Sequence, residues 1–241
     1  MRRLFASDLH LRPERPDLTG AFLHFLRETA SGADELYLLG DIFEAWIGDD
    51  APMPGLDDVY GALAHLSASG TRLYFQHGNR DFLVGEALMA RIGGELLPEA
   101  FCIEHPAGPI LLMHGDQLCT DDAEYLAFRN QVRDANWQRQ FLAQSVEQRM
   151  AIARQLREAS KARGMEKSDE IMDVNPQAVR EAMLDAGVEQ LIHGHTHRPA
   201  VHRNQLGDGS GIRIVLGDWD RRGWYLELDD SGFELIDFPI E

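Results

Sequence analysis

Five stretches of this sequence end a short apolar run in residues that can ligate a metal. Leu4-Phe5-Ala6-Ser7 runs into Asp8-Leu9-His10, and Leu36-Tyr37-Leu38-Leu39 runs into Gly40-Asp41. Leu73-Tyr74-Phe75-Gln76 runs into His77-Gly78-Asn79-Arg80-Asp81. Ile110-Leu111-Leu112-Met113 runs into His114-Gly115-Asp116, and Leu191-Ile192 into His193-Gly194-His195-Thr196-His197. Asp8, His10, Asp41, Asn79, His114, His195 and His197 offer imidazole nitrogens and carboxylate or amide oxygens, with no thiolate among them. Such mixed ligation suits manganese, iron or zinc in a working site and disfavours a structural zinc of cysteines. These donors are too many for one ion and suit two, with Asp41, central in the order, placed to bridge them. Two cations about 4 Å apart generate a hydroxide at neutral pH and clamp both oxygens of an in-line phosphoryl displacement.

Taken singly, these motifs are weak. Gly-Asp is an ordinary turn, and Asp and His are common at strand ends as turn formers and caps. Gly194-His195-Thr196-His197 is stronger, because two histidines one residue apart in a turn often share an ion. The ordered set carries the reading. His77 and His193, each just before a loop glycine, are expected to support the ligands from behind. His24 and His65 fall in helical patterns and His105 and His202 in strand patterns, where a histidine is structural.

The elements that must position these donors follow a βαβαβ rhythm, which predicts a partly parallel sheet with helices on its faces. Strands are expected over 3–7, 35–39 and 72–76, with helices near 17–30 and 56–69. A strand-rich patch follows near 100–105 and 109–113. Residues 116–163 contain no Gly or Pro and are rich in good helix formers, so they read as an insertion of two or three helices. A helix near 175–186 and a strand near 189–193 return to the sheet. The end reads as antiparallel, with strands at 199–204, 211–217, 222–228 and 233–238. In an open α/β sheet, ligands bind at the carboxyl edge of the strands, so all five exits are expected on one rim.

With 241 residues the chain suits one large domain and needs no disulfide staple. The two cysteines, Cys102 and Cys119, and the lack of an export signal predict a reducing cytoplasm. No apolar run approaches the roughly 18 residues of a spanning helix. The net charge of −17 makes non-specific nucleic-acid binding a poor expectation. That charge is uneven. Residues 129–167 carry nine basic and four acidic side chains, a local surplus of five, and leave −22 on the rest. The basic segment reads as built to meet an anion.

Asp8-Leu9-His10, Gly40-Asp41, Gly78-Asn79-Arg80-Asp81, His114-Gly115-Asp116 and Gly194-His195-Thr196-His197 together resemble the calcineurin-like metallophosphoesterases. Most of that superfamily carries histidine where Arg80 stands. The arginine resembles one branch, the UDP-2,3-diacylglucosamine diphosphatases of lipid A synthesis. Glu44-Ala45-Trp46-Ile47-Gly48-Asp49-Asp50, Arg80-Asp81-Phe82-Leu83, Asp121-Asp122 and Ser160-Lys161 agree with that branch. The resemblance spans position 4 to about 226. It implies a four-layer α/β/β/α sandwich as a single domain over 1–241, with a helical lid inserted at 121–168. It implies two manganese ions, one on Asp8, His10, Asp41 and His197, the other on Asp41, Asn79, His114 and His195. It implies cleavage of UDP-2,3-diacylglucosamine to UMP and 2,3-diacylglucosamine 1-phosphate, with Asp41, Asn79, Arg80 and His195 in the catalytic centre. Asn79, Arg80, Asp122, Ser160, Gly164, Lys167 and His195 would contact substrate. Gly164 departs from the polar side chain common there, so one hydrogen bond then depends on backbone or water.

Arg80 also has a physical reading. Cleaving a diphosphate expels a phosphomonoester with a second pKa of about 6, which leaves without a proton donor. A permanently charged guanidinium is then the better partner for diphosphate oxygens. If 149–167 is helical, Arg149, Ala153, Leu156, Ser160, Gly164 and Lys167 share a face flanked by Arg157 and Lys161. Arg157 and Lys167 read as phosphate partners, and Arg154 and Arg163 as a solvated face. Trp46, Phe82, Leu83, Leu126, Trp137 and Leu142 are candidate apolar contacts, though such stripes are usually plain core. Tyr125, Phe128, Phe141 and Ile152 are the favoured contacts for two acyl chains, each buried methylene contributing about 0.8 kcal/mol.

The basic insert on an acidic body predicts a protein peripheral on the cytoplasmic face of the inner membrane, taking a lipid-linked UDP-sugar from the bilayer. No obligate protein partner is evident. Two other readings of the same donors stay open. One is a metallophosphoesterase acting on a soluble nucleotide diphosphate or phosphodiester, and the other is a silent scaffold on the same fold, which would be expected to lose some ligands.

Overall fold

Alternating side chains on the strands sort the core into three apolar layers, and those layers dictate the architecture. The computed structural model describes residues 1–166 and 173–240, with side chains described to residue 158 in the first stretch. In chain order the strands are β1 (Arg3–Ala6), β2 (Glu35–Leu39), β3 (Arg72–Gln76), β4 (Gly94–Leu97), β5 (Ala100–Ile103), β6 (Ile110–Met113), β7 (Gln190–His193), β8 (Ala200–Arg203), β9 (Ile212–Val215), β10 (Arg222–Asp229) and β11 (Gly232–Pro239). The helices are α1 (Pro16–His24), α2 (Asp57–Ala68), α3 (Glu86–Ile92), α4 (Ala123–Arg133), α5 (Ala135–Leu142), α6 (Val146–Glu166) and α7 (Pro176–Ala186). One sheet runs β11-β10-β1-β2-β3-β4 and the other β5-β6-β7-β9-β8.

Leu4, Ala6, Leu36, Leu38, Leu73 and Phe75 pack with Phe22 of α1, Val59 and Leu63 of α2 and Leu88 of α3. The intervening Phe5, Tyr37 and Leu39 point the other way and meet Ile110, Leu112, Ile192 and Ile214 of the second sheet. Leu111, Met113 and Leu191 then cover Val179 and Met183 of α7. The result is the expected α/β/β/α sandwich. Its central strands are covered on both faces, which is why Leu36–Leu39 reads as a continuous apolar run.

The structure departs from the sequence reading in three places. Helix α3 and strand β4 were not anticipated; both are short, and short elements carry little periodic signal. The helix expected at 17–30 gives way after His24 to a π-helical turn over Phe25–Thr29, where Ala30 N–H donates to Phe25 O at 2.9 Å. The carboxyl-terminal strands are two hairpins in different sheets. β8–β9 and β10–β11 are antiparallel, but β9 lies parallel to β7 while β10 lies antiparallel to β1. Local alternation identifies a strand and says nothing of which sheet it joins.

The insertion forms three helices, each started by a polar cap. Asp122 accepts from Tyr125 N–H at 3.0 Å and starts α4. Asp134 accepts from Asn136 and Trp137 N–H at 2.9 and 3.0 Å and starts α5. Ser145 and Gln148 form a reciprocal capping box before α6. Four arginines of the insertion are committed to the body. Arg129 pairs with Asp116 and Glu99, Arg133 with Glu99, Arg149 with Asp50, and Arg157 with Glu44. Much of the basic surplus thus fastens the insertion to an acidic scaffold.

Candidate active site

The carboxyl ends of β1, β2, β3, β6 and β7 converge on one rim, and all seven predicted donors arrive there. Asp8, His10, Asp41, His195 and His197 have left-handed backbone, with φ of 55°, 51°, 54°, 68° and 56°. That conformation costs a non-glycine residue on the order of 1–2 kcal/mol, so the surroundings must enforce it. They do so through bonds between the exits. Asp8 N–H donates to Gly40 O at 3.0 Å, His10 N–H to Asp41 O at 3.0 Å, and Trp219 N–H to Asp8 O at 3.0 Å. Asp81 is fully buried and accepts from Gly78 (2.8 Å), Asp41 (3.1 Å), Ile42 (2.7 Å) and Phe43 (3.3 Å) N–H.

Two glycines permit close approach. A Cβ on Gly78 would stand 2.2 Å from Asp41 Oδ1, and one on Gly194 would stand 2.2 Å from Asp8 Oδ2. Any other residue would push the carboxylate aside.

The donors form two groups that share Asp8: Asp8, His10 and His197, and Asp8, Asp41 and His114, with donor atoms within 4.8 Å of one another in each. Asn79 Oδ1 lies 3.0 Å from His114 Nε2 and 2.9 Å from His195 Nδ1. Asp8 Oδ2 accepts from the Ser7 hydroxyl at 2.6 Å and His195 N–H at 2.9 Å, while its buried Oδ1 lies 3.3 Å from His197 Nε2. Asp8 is common to both of these triads, and Asp41 stands in the second with His114, its Oδ1 3.8 Å from His114 Nε2.

Electrostatics favour a cation here. Burial pushes the Asp41 carboxyl up, and the neighbouring Asp8 adds to it. Burial opposes the Asp8 charge too, but the hydrogen bond from His197 and the fields of His197, His114 and His10 hold it below the usual range. Burial and His114 push His195 down to about 4, which leaves its imidazole neutral as a ligand must be. Against burial, the carboxylates push His197 the other way, up to about 9, so with no cation a proton supplies the positive charge that these crowded carboxylates demand, and a pair of divalent ions fits the same demand.

Residues behind the donors were only partly anticipated. His114 Nδ1 lies 2.9 Å from Leu39 O and ties the sheets together at the rim. His193 sits 2.8 Å from Gly194 O and 3.2 Å from Arg213, and burial with Arg213 pushes it down to about 3. His77 bonds Val84 O at 2.6 Å. Asp218 was missed, although Gly217-Asp218 repeats the Gly-Asp signal after β9; its Oδ2 lies 3.5 Å from His197 Nδ1. Glu44 and Arg12 were missed as site residues; Glu44 stands in a motif that the sequence singled out without giving it a role, and nothing local marks Arg12.

A cavity of about 610 Å³ opens from the donors under the insertion. Asn79, Arg80, Asp122, Tyr125, Arg157, His195 and His197 line its polar side, and Trp46, Phe82, Leu83, Phe128, Trp137, Phe141, Ala153 and Leu156 its apolar side. Arg80 Nε is 3.2 Å from Asp41 Oδ2, and its backbone N–H donates to Asp41 Oδ1 at 2.8 Å. Trp137 stacks on Phe141 at 5.1 Å and meets Phe82 at 6.3 Å. Ile152 packs on the main core instead of lining the cavity. Arg149 faces away from it, buried against Ile47 O and Asp50. Ser160 and Gly164 fall on α6 beyond the last described side chain, and Lys167 lies outside the described residues.

The calcineurin-like phosphoesterase family matches residues 1–199. A UDP-2,3-diacylglucosamine hydrolase of Stenotrophomonas maltophilia (strain K279a) is 50% identical over 98% of each chain. Proteins of the same name from Azotobacter vinelandii (strain DJ / ATCC BAA-1303) and Serratia proteamaculans (strain 568) are 48% identical over 100% of each chain. Among solved structures, one described as a novel archaeal phosphodiesterase covers 99% of this chain and 100% of its own at 12% identity and a TM-score of 0.50, a likeness of fold alone.

Proposed function

The chain belongs to the calcineurin-like phosphoesterases, and from that premise we propose that it cleaves the diphosphate of UDP-2,3-diacylglucosamine to UMP and 2,3-diacylglucosamine 1-phosphate, a step of lipid A biosynthesis. One observation carries the reading. A metal-ligating rim with Arg80 lies at one side of a 610 Å³ cavity whose other side is aromatic and aliphatic. Such a cavity matches a molecule that joins an anionic diphosphate to acyl chains. A soluble nucleotide diphosphate would leave the apolar side unused.

Asp8, His10, Asp41 and His197 would hold one manganese, and Asp41, Asn79, His114 and His195 the other. When bound, these ions supply Lewis acidity and make water acidic enough to attack phosphorus at neutral pH. The chain's own side chains do the rest. Arg80 and Arg157 present guanidiniums to the diphosphate oxygens, and Arg80 stabilises charge as the phosphomonoester departs. Asn79 orients the rings of His114 and His195. Asp122 and Tyr125 border the polar side, and Ser160, Gly164 and Lys167 are further candidate substrate contacts. The insertion over 121–168 serves as a lid that excludes water, and Phe128, Phe141 and Ile152 support the acyl chains, Ile152 from the layer behind.

We also propose that the protein works at the cytoplasmic face of the inner membrane. No helix among the described residues is long and apolar enough to cross a membrane. Val146 and Met150, 39% and 41% exposed, lie four residues apart on α6, and Leu142, 40% exposed, ends α5 just before it. A small apolar face of that kind beside basic residues suits the surface of an anionic bilayer.

Turnover of UDP-2,3-diacylglucosamine against a panel of soluble nucleotide diphosphates, with and without manganese, tests the proposal. Rapid metal-dependent cleavage of the diacylated substrate supports it, and equal turnover of UDP-glucose would sink it.

A further inference from the structure

Glu44 lies between the strand-end rim and the lid, and it holds a guanidinium from each. Its Oε1 is 3.1 Å from Arg80 Nη1, on the loop after β3, and 2.5 Å from Arg157 Nη2, on α6. Its Oε2 is 3.3 Å from Arg12 Nη1 and 3.6 Å from His10 Nδ1. The Glu44 side chain is 18% exposed, and those of Arg80, Arg157 and Arg12 are 19%, 33% and 31% exposed. Two carboxylates, Glu44 and Asp41, thus face three guanidiniums, with Asp41 Oδ2 3.2 Å from Arg80 Nε, and a positive surplus remains at the cavity wall. Arg157 Nε is buried without a hydrogen-bond partner among the described residues. Burial and the neighbouring Arg80 act against the Arg157 charge, and Glu44 opposes them.

Two arginines side by side in a half-buried wall repel each other and would splay without an anion between them. A diphosphate carries a negative charge on each phosphorus and needs both guanidiniums at once, in fixed relative positions. Resting on the activity proposed above, we propose that Glu44 is a positioning residue. It holds Arg80 of the rim and Arg157 of the lid together before substrate arrives, so that closing of the lid and alignment of the diphosphate are one event. Two ion pairs tie α6 to the loop after β2, Arg149–Asp50 and Arg157–Glu44, and of their two acids Glu44 is the one that also holds Arg80, which makes it the joint through which the lid is registered on the metal rim.

The test is a set of kinetic cycles on the manganese-loaded enzyme with UDP-2,3-diacylglucosamine. Glu44→Gln keeps the shape and removes the charge; its kcat/KM is expected to fall about 10- to 100-fold, with a melting temperature close to that of the unaltered protein. Arg157→Ala is expected to lose a similar factor. In the double variant the losses should overlap, so that Glu44→Gln matters little once Arg157 is gone. Arg149→Ala, which breaks a different lid contact, should instead multiply with Glu44→Gln. Salt adds an independent readout, because weakened anion capture in Glu44→Gln should appear mainly as a KM that climbs steeply with ionic strength.

Unchanged or raised kcat/KM in Glu44→Gln would overturn the inference, since the carboxylate would then be idle or a competitor of the substrate. Full multiplication of the Glu44 and Arg157 losses would overturn it too, as would overlap with Arg149→Ala of the same size. If the unaltered enzyme fails to cleave the diacylated substrate, the proposed activity falls instead, a result distinct from each of these.

Discussion

His10 Nε2 and His197 Nε2 stand 3.2 Å apart across 187 residues of sequence. Both cannot carry a proton at that distance and still face each other, so at least one lone pair points into the gap. Asp8 Oδ1 lies 3.3 Å from His197 Nε2 on the same side. A nitrogen pair and a carboxylate oxygen meeting in this way make a candidate cation site drawn together by the fold.

Removing His197 should therefore empty one position of the metal centre. His197→Ala is expected to reduce bound manganese, read by elemental analysis, and to cut kcat by more than about 100-fold. A chelator should silence the unaltered enzyme and added manganese should restore it. Full activity after exhaustive chelation would contradict the site.

Gly78→Ala places a methyl where Asp41 Oδ1 stands, 2.2 Å away. The carboxylate or the loop must move, at a cost of about 1–3 kcal/mol in a packed interior. Metal affinity and activity should both fall sharply, while denaturant unfolding shows only that modest loss. Normal metal content in the Gly78→Ala enzyme would show that Asp41 needs no such close approach.

Asp81 offers a different kind of sensitivity, because it touches no cavity and bonds four backbone N–H groups of the β2 and β3 exits. Asp81→Asn turns one acceptor into a donor facing donors. Stability should drop by about 2–3 kcal/mol, and activity should fall with it as Asp41 loses its backbone support. Chemical denaturation of the metal-free protein separates this from any effect on metal binding.

Arg129 anchors α4 to Asp116, which is 1% exposed, with an Nε–Oδ2 distance of 2.7 Å. Arg129→Met leaves that carboxylate with the Tyr125 hydroxyl, at 2.7 Å, as its remaining close partner. A loss of about 3 kcal/mol is expected from stranding a buried charge. Amides of α4 should exchange with solvent faster while those of β1 and β2 stay protected. Equal acceleration throughout would mean the contact supports the whole sandwich and not the lid.

Val146→Gln with Met150→Gln removes apolar surface exposed on α6. Binding to anionic vesicles should weaken severalfold, while turnover of substrate dispersed in detergent stays near normal. Flotation identical to the unaltered protein would place the membrane contact elsewhere.

The sequence by itself marked the seven candidate donors and the strands that carry them, and its family resemblance implied the sandwich that brings those strands together. Asp8, His10, Asp41, Asn79, His114, His195 and His197 were legible because each follows a short apolar run, and a run plus a turn is a local signal. Arg80 was legible as a single departure within a motif. The tertiary structure alone decided which of these donors stand within reach of one another, since distance between exits depends on how two sheets twist and pack. It alone showed that Arg129, Arg133, Arg149 and Arg157 are spent on Glu99, Asp116, Asp50 and Glu44. A count of charges cannot say which carboxylate each will find. Glu44 stood in plain view within a family motif, but its role comes from partners 32, 36 and 113 positions away, and no periodicity in a chain encodes a contact of that range.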